Sequence, residues 1–272
     1  MDLFFREEGS SGKNIVIIHG LYGSSDNWFS IGKKLGKKFH VYLIDQRNHG
    51  RSGNTDINTY DAMEKDLFDF FEKHRIKKAV VIGHSMGGKV AMLFAANHPE
   101  KIEKLIIVDI APVNYLNSPD RGQYNQHLKI LQSLTEFQEK SKDFTTRTEI
   151  AEFLRGKLEN ETLVRFLLKS TYRNKETIIF NCRINTHIIK QSLDEIIGGI
   201  NEENMFPFSP ITCYPILFIK GELSEYITKK GITVIQKIYP EYLIKIIPGA
   251  GHWLHAEQPI LFLKTVEEFI SD

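Results

Sequence analysis

The sequence predicts a doubly wound α/β fold: a mostly parallel sheet covered by helices on both faces, with a block of helices inserted before its last two strands. Three observations lead there. Short apolar runs alternate with helical patterns, which is the signature of strands joined by crossover helices. The runs are apolar at successive positions, as strands buried on both faces must be. Residues 120–206 hold none of the nine prolines and only four of the nineteen glycines, and strand signals vanish there. A chain of 272 residues exceeds the roughly 150 of an average domain, so one large domain or a domain carrying an insertion is expected.

Six runs read as strands: residues 14–18 (NIVII), 40–44 (HVYLI), 79–82 (AVVI), 104–109 (KLIIVD), 215–219 (PILFI) and 242–247 (YLIKII). Between them, Asp61 to His74 sets Met63, Leu67, Phe70, Phe71 and His74 on one helical face. After Gly87, KVAMLFAANH reads as a helix that stops before Pro99. In the inserted block, apolar residues recur at helical spacing in Tyr124, Leu128, Leu131 and Leu134, and again in Ile189, Leu193, Ile196 and Ile197. Thr146 with Glu149 spells a capping box, and Asn160 is an N-cap for ETLVRFLLKS. We read 116–207 as a helical cap, and 1–115 with 208–272 as the core. A separate small helical domain is the alternative, but the last two strands need the first four to complete a sheet. No internal repeat or low-complexity tract is present.

Composition removes several function classes. The 35 basic and 34 acidic residues leave a net charge of +1, spread without blocks, which argues against nucleic acid as a partner. With 42% hydrophobic and 25% charged residues, the chain can bury a full core and is not a disordered one. No apolar run approaches the ~20 residues of a membrane span. The opening MDLFFREEGSSGKN carries acids where a signal peptide carries bases, so a soluble, cytoplasmic protein is expected. Cys182 and Cys213 are isolated, without CxxC or Cys/His metal spacing, and read as packing residues in a reducing compartment. Monomer and homodimer both stay open.

One motif carries chemistry. Gly83, His84, Ser85, Met86 and Gly87 spell G-x-S-x-G directly after a strand and before a helix, the context a nucleophilic serine on a sharp turn requires. Gly83 to Lys89 also fits GxxxxGK, the phosphate cradle of P-loop proteins, with LIIVD at 105–109 as an acidic strand. That reading fails at Val90, where a hydroxyl should hold magnesium.

A serine hydroxyl needs a histidine base within hydrogen-bond reach. Of the ten histidines, His252 lies in the Gly-rich loop PGAGHWLHAEQP after the last strand, at the sheet edge that carries Ser85. His255 suggests a metal pair with it, but no third ligand is visible, and a solvated histidine at a helix start is expected. The oxyanion of an ester intermediate needs two backbone N–H donors: those of Met86, after the nucleophile, and Leu21, in HGLYGSSDNW after the first strand. His19 there reads as a loop brace. For the acid, the loop after the fifth strand reads GELSEY, where Ser224 has no charge with which to stabilise an imidazolium. Asp109, closing the strand that follows the nucleophile helix, is the better candidate, with Glu222 and Glu225 in reserve. Ser224 can serve as a fourth member bonded to the histidine or the aspartate. Asp45, Arg47, His49, Gly50 and Ser52 suit a tight loop locked by an ion pair, which helps to place the oxyanion loop.

Together HGLYGSSDNW, DQRNHGRS, GHSMGGK, VDIAPVNY, FLLKS and GAGHWLHAE resemble the α/β-hydrolases of the YbfF-type bacterial esterase group, over nearly the whole chain and most loosely from Gln123 to Asn160. The resemblance implies serine hydrolysis of small-molecule carboxylic esters, leaves acyl-CoA thioesters open, and requires no cofactor or metal. It also implies that the acid is Asp109, so that Ser85, His252 and Asp109 form the triad. Relatives with an Asp nucleophile are excluded by Ser85. C–C hydrolases and lyases sharing the triad stay open, as does a non-catalytic ligand-binding protein of the same fold.

Overall fold

The computed structural model describes residues 1–117 and 122–271. Its strands, in chain order, are β1 (Phe5–Glu8), β2 (Asn14–Ile18), β3 (His40–Ile44), β4 (Ala79–His84), β5 (Ile102–Val108), β6 (Thr171–Arg173), β7 (Phe180–Cys182), β8 (Ile216–Gly221) and β9 (Leu243–Ile247). Seven form one sheet in the order β1-β3-β2-β4-β5-β8-β9, parallel throughout except for β1, which pairs antiparallel with β3. The six expected strands are all present. The edge strand β1 was not expected, because its four residues, Phe-Arg-Glu-Glu, are too short and too polar to show a period.

The helices are α1 (Ser25–Leu35), α2 (Tyr60–Lys73), α3 (Met86–Asn97), α4 (Gly122–Glu139), α5 (Arg147–Arg155), α6 (Glu161–Leu168), α7 (Thr186–Gln191), α8 (Leu193–Gly198), α9 (Glu202–Met205), α10 (Lys229–Ile238), α11 (Leu254–Glu257) and α12 (Pro259–Ser271). Successive residues of a strand point to opposite faces, and the core divides accordingly. Val80, Ile82, Ile106 and Val108 pack with Trp28 and Ile31 of α1 and Phe262 and Val266 of α12. Val81, Leu105 and Ile107 pack on the other face with Leu67 of α2, Phe94 of α3 and Ile235 of α10. Such two-sided burial is why these strands read as unbroken apolar runs.

Between β5 and β8 the chain is largely helical. Thr146 caps α5, accepting from Glu149 N at 3.2 Å, while Asn160 caps α6, accepting from Leu163 N at 3.0 Å. Ile130, Leu134, Leu154, Val164, Ile189 and Leu193 of this segment belong to the same continuous apolar cluster as the face of the sheet that α3 covers. Polar straps add to it: Tyr60 Oη donates to Ile196 O at 2.7 Å, and Ser170 Oγ to Tyr22 O at 2.9 Å. Strand structure is not absent here, because β6 and β7 form an antiparallel hairpin, three residues each and below the length at which alternation is visible. Asp120, where the proline-poor stretch begins, lies outside the described residues. Cys182 packs against the core, but Cys213 is exposed and does not act as the packing residue it was read to be. Among the described residues no helix is long and apolar enough to cross a membrane.

Candidate active site

The parallel sheet brings the carboxyl ends of β2, β4, β5, β8 and β9 to one edge, and all the sequence-derived site residues lie there. Ser85 sits between β4 and α3 with φ +52, a left-handed conformation rare for a side chain of this kind. Its N–H donates to Val108 O at 3.0 Å, which pins the turn to the neighbouring strand. The turn is tight enough that a Cβ on Gly87 would stand 2.5 Å from the carbonyl oxygens of Ile18 and His19. Tyr22 and Asp109 also have positive φ, +64 and +51. Such strain costs on the order of 1–3 kcal/mol per residue and persists where the surroundings enforce it.

Asp109 follows β5 directly and is fully buried. Its Oδ2 accepts from His252 Nδ1–H at 2.7 Å and from the Ser224 hydroxyl, and its Oδ1 accepts from Gly221 N at 3.0 Å. Ser224 therefore touches the aspartate rather than the histidine. Glu222 and Glu225 are exposed, and Glu222 accepts instead from Gly249 N. A proton held on Nδ1 leaves the lone pair of the His252 imidazole on Nε2. His252 and Ser85 line one cavity of about 80 Å³ together with Leu21, Tyr22, His84 and Tyr226. No direct hydrogen bond joins the two side chains, a gap that apo sites commonly close on binding substrate.

Leu21 and Met86 stand on the wall of the adjoining cavity that Ser85 also lines. Neither backbone N–H is engaged by a hydrogen bond among the described residues. Two unpaired donors beside a nucleophile can hold an oxyanion. The first of them is carried by a loop that passes against the serine: a Cβ on Gly20 would meet His84 Nδ1 at 2.8 Å and Ser85 Cβ at 3.0 Å. His19 braces that loop, accepting at Nε2 from Gln46 N at 3.0 Å and donating from Nδ1 to Gly20 O at 2.8 Å. His49 Nε2 accepts from Tyr22 N at 3.2 Å, so the 45–52 loop is bonded to the loop that carries Leu21. Its ion pair, however, is not internal: Arg47 Nε reaches Asp66 of α2 at 2.7 Å, while Asp45 accepts from Ser25 N and Arg51 N.

Several neighbours carry no sequence signal. Tyr226 stacks on the His252 ring, centroids 3.8 Å apart and 18° from parallel. His84 Nε2–H donates to the backbone oxygen of His252 at 2.9 Å, which ties the His252 loop to the residue before Ser85. Burial and the neighbouring His252 hold the His84 imidazole neutral, well below its ordinary range. His255 is not solvated: it is buried and stacked on Trp28 with centroids 4.1 Å apart, and burial pushes it down to about 3. Lys89, which a phosphate cradle would aim at a nucleotide, instead donates to Val113 O and Ile197 O. A separate cavity of about 760 Å³ lies between residues 50–54 and 182–187 and is lined by none of Ser85, Asp109 or His252.

Residues 13–259 match the alpha/beta hydrolase fold family. The chain is 33% identical over 258 residues to "Esterase YbfF" of Escherichia coli (strain K12), covering 95% of this chain and 93% of the relative. It is 36% identical over 263 residues to "sn-1-specific diacylglycerol lipase ABHD11" of Danio rerio, covering 94% of this chain and 78% of that one. Among solved structures, a "Marine microorganism esterase" superposes with a TM-score of 0.89 at 44% identity, covering 98% of this chain and 99% of that one.

Proposed function

The chain belongs to the α/β-hydrolase family, and from that premise we propose that it is a carboxylesterase-type hydrolase working through an acyl-enzyme on Ser85. His252 takes the Ser85 proton through Nε2, and Asp109 stabilises the imidazolium that forms. The tetrahedral oxyanion is held by the N–H groups of Leu21 and Met86, the alcohol leaves with the proton from His252, and water then releases the acid by the same route. The observation that carries this reading is the buried Asp109 carboxylate bonded to His252 Nδ1 at 2.7 Å, beside a serine on a strained turn. Residues 116–207 act as the cap over this site, on a core of 1–115 and 208–272.

The two inner cavities, about 20 and 80 Å³, favour small to medium acyl groups, while an outer chamber of about 590 Å³ that shares Tyr115, Gln123 and Gln126 with them takes the leaving group. Acyl-CoA thioesters are a further class for the same chemistry. The reading is tested with p-nitrophenyl esters of increasing chain length and with acyl-CoAs, on wild type and Ser85→Ala. We expect p-nitrophenyl butyrate to exceed the dodecanoate at least tenfold in kcat/KM, and Ser85→Ala to abolish turnover of both. Residual turnover by Ser85→Ala at the wild-type rate would refute it, and so would inertness toward every ester and thioester.

His84 acts as a positioning residue. His84→Ala removes the donor to the His252 carbonyl, and kcat should fall about 10- to 100-fold with KM little changed, as small misplacements of a catalytic group do. His84→Gln, which keeps an N–H donor, should recover part of the loss. Equal losses in both variants would assign His84 to packing alone.

A further inference from the structure

Lys89 belongs to the nucleophile motif, yet the acyl-enzyme mechanism leaves it unused. It lies one helical turn beyond Ser85 on α3, is 1% exposed, and lines the same inner cavity as Ser85, Leu21 and Met86. Its ammonium donates to Val113 O at 3.2 Å and Ile197 O at 3.1 Å, and sits 5.1 Å from the centre of the Tyr115 ring. In its charged form the group has three donors and no acceptor; two go to Val113 O and Ile197 O, and the third meets no oxygen among the described residues, only the Tyr115 and Tyr60 rings at 5.1 and 5.9 Å. Burial pushes the group down to about 7 against the opposing pull of Glu195 and Glu202, the negative charges that act on it. Ile110, Ile196 and Ile197 form the apolar part of the wall around it, and Tyr60, Tyr115, Gln123, His127 and Tyr226 complete the lining.

The consequence falls on the acyl group. A plain alkyl chain entering this cavity leaves a buried donor facing methylenes, the costly arrangement for a polar group. An oxygen atom in the chain accepts that proton. With Glu195 and Glu202 already answering the positive charge, a further anion gains less than a neutral acceptor does.

We propose that Lys89 forms the polar end of the acyl subsite and that the enzyme prefers esters whose acyl group carries a neutral oxygen acceptor, an oxo or hydroxy group, a few bonds from the reacting carbonyl. This rests on the serine-hydrolase reading and names the substrate class of the same site.

The test compares p-nitrophenyl 4-oxopentanoate, pentanoate and hemisuccinate on the wild-type protein and on Lys89→Met, each corrected for its rate with Ser85→Ala. Wild type is expected to favour the oxo ester over pentanoate about tenfold in kcat/KM, with the hemisuccinate behind the oxo ester. In Lys89→Met, shown to be folded by fluorophosphonate labelling of Ser85, the ratio of oxo ester to pentanoate should collapse to within about twofold of one. A wild-type ratio near one overturns the proposal whether or not the variant folds. So does a folded variant that keeps the wild-type ratio, which makes Lys89 only a strut between α3 and α8, or a wild type that favours the hemisuccinate. Hydrolysis of all three esters without preference defeats this proposal alone, whereas no hydrolysis and no labelling of Ser85 defeats the serine-hydrolase reading as well.

Discussion

Asp109→Asn is expected to lower kcat about 10⁴-fold, the loss that follows when a triad carboxylate becomes an amide. The carboxylate is fully buried and receives three donors, from His252 Nδ1, Gly221 N and the Ser224 hydroxyl. An amide of the same shape fills the space but has one acceptor where the carboxylate has two, and it turns an N–H toward one of those donors. His252 then loses both the charge that stabilises its protonated form and the acceptor that keeps its proton on Nδ1. Ser224→Ala removes one of the three donors and leaves the hydrogen bond from His252 Nδ1 to Asp109, so a loss of about tenfold in kcat is expected. Glu225→Gln, on an exposed side chain, should change kcat less than twofold. Steady-state kinetics on p-nitrophenyl butyrate rank the three, and the order Glu225 above Asp109 would refute the acid assignment.

Acidification is the second large effect. Burial pushes His19 down to about 4, and His49 and His255 to about 3, from an ordinary value of 6.5. Below pH 6.5 the unfolded chain takes up protons that these folded imidazoles refuse. Their contribution to stability is therefore full above about pH 6.5 and falls as the pH drops toward 3–4. At pH 5 each costs the fold about 2 kcal/mol, or roughly 6 kcal/mol for the three. That is comparable to the whole stability of a typical domain, so the urea midpoint should drop steeply between pH 7 and pH 5. His255→Phe keeps an aromatic ring against Trp28 and removes one titrating site whose two nitrogens lack partners. It should recover about 2 kcal/mol at pH 5 relative to pH 7. A midpoint independent of pH over that range would contradict the burial of these rings.

What the sequence made legible follows from where the physics is local. The strands β2, β3, β4 and β5 were readable because burial on both faces forces runs of branched apolar residues. Ser85 was readable because a strained turn between strand and helix admits only small neighbours. Asp109 could be selected because an acid must end a strand at the same sheet edge, and Gly221 and Ser224 do not supply a charge. What escaped depends on contacts between distant positions. His84 meets the His252 carbonyl 168 residues away, and Tyr226 stacks on a ring that no period or spacing connects to it. His255 was misread as solvated because its Gly-rich loop looks polar, whereas Trp28 of α1 closes over it. Lys89 looked like a phosphate ligand because the glycines around it serve two motifs at once, and only its carbonyl partners tell them apart.

The central claim is that Ser85 is made nucleophilic by His252 and Asp109. Treatment with a fluorophosphonate followed by peptide mass mapping tests it most directly. A single adduct on Ser85 is expected in wild type, slowed at least a thousandfold in His252→Ala. A wild-type protein that takes up no adduct, or one that is labelled at another residue, would contradict it, as would labelling at an undiminished rate in His252→Ala.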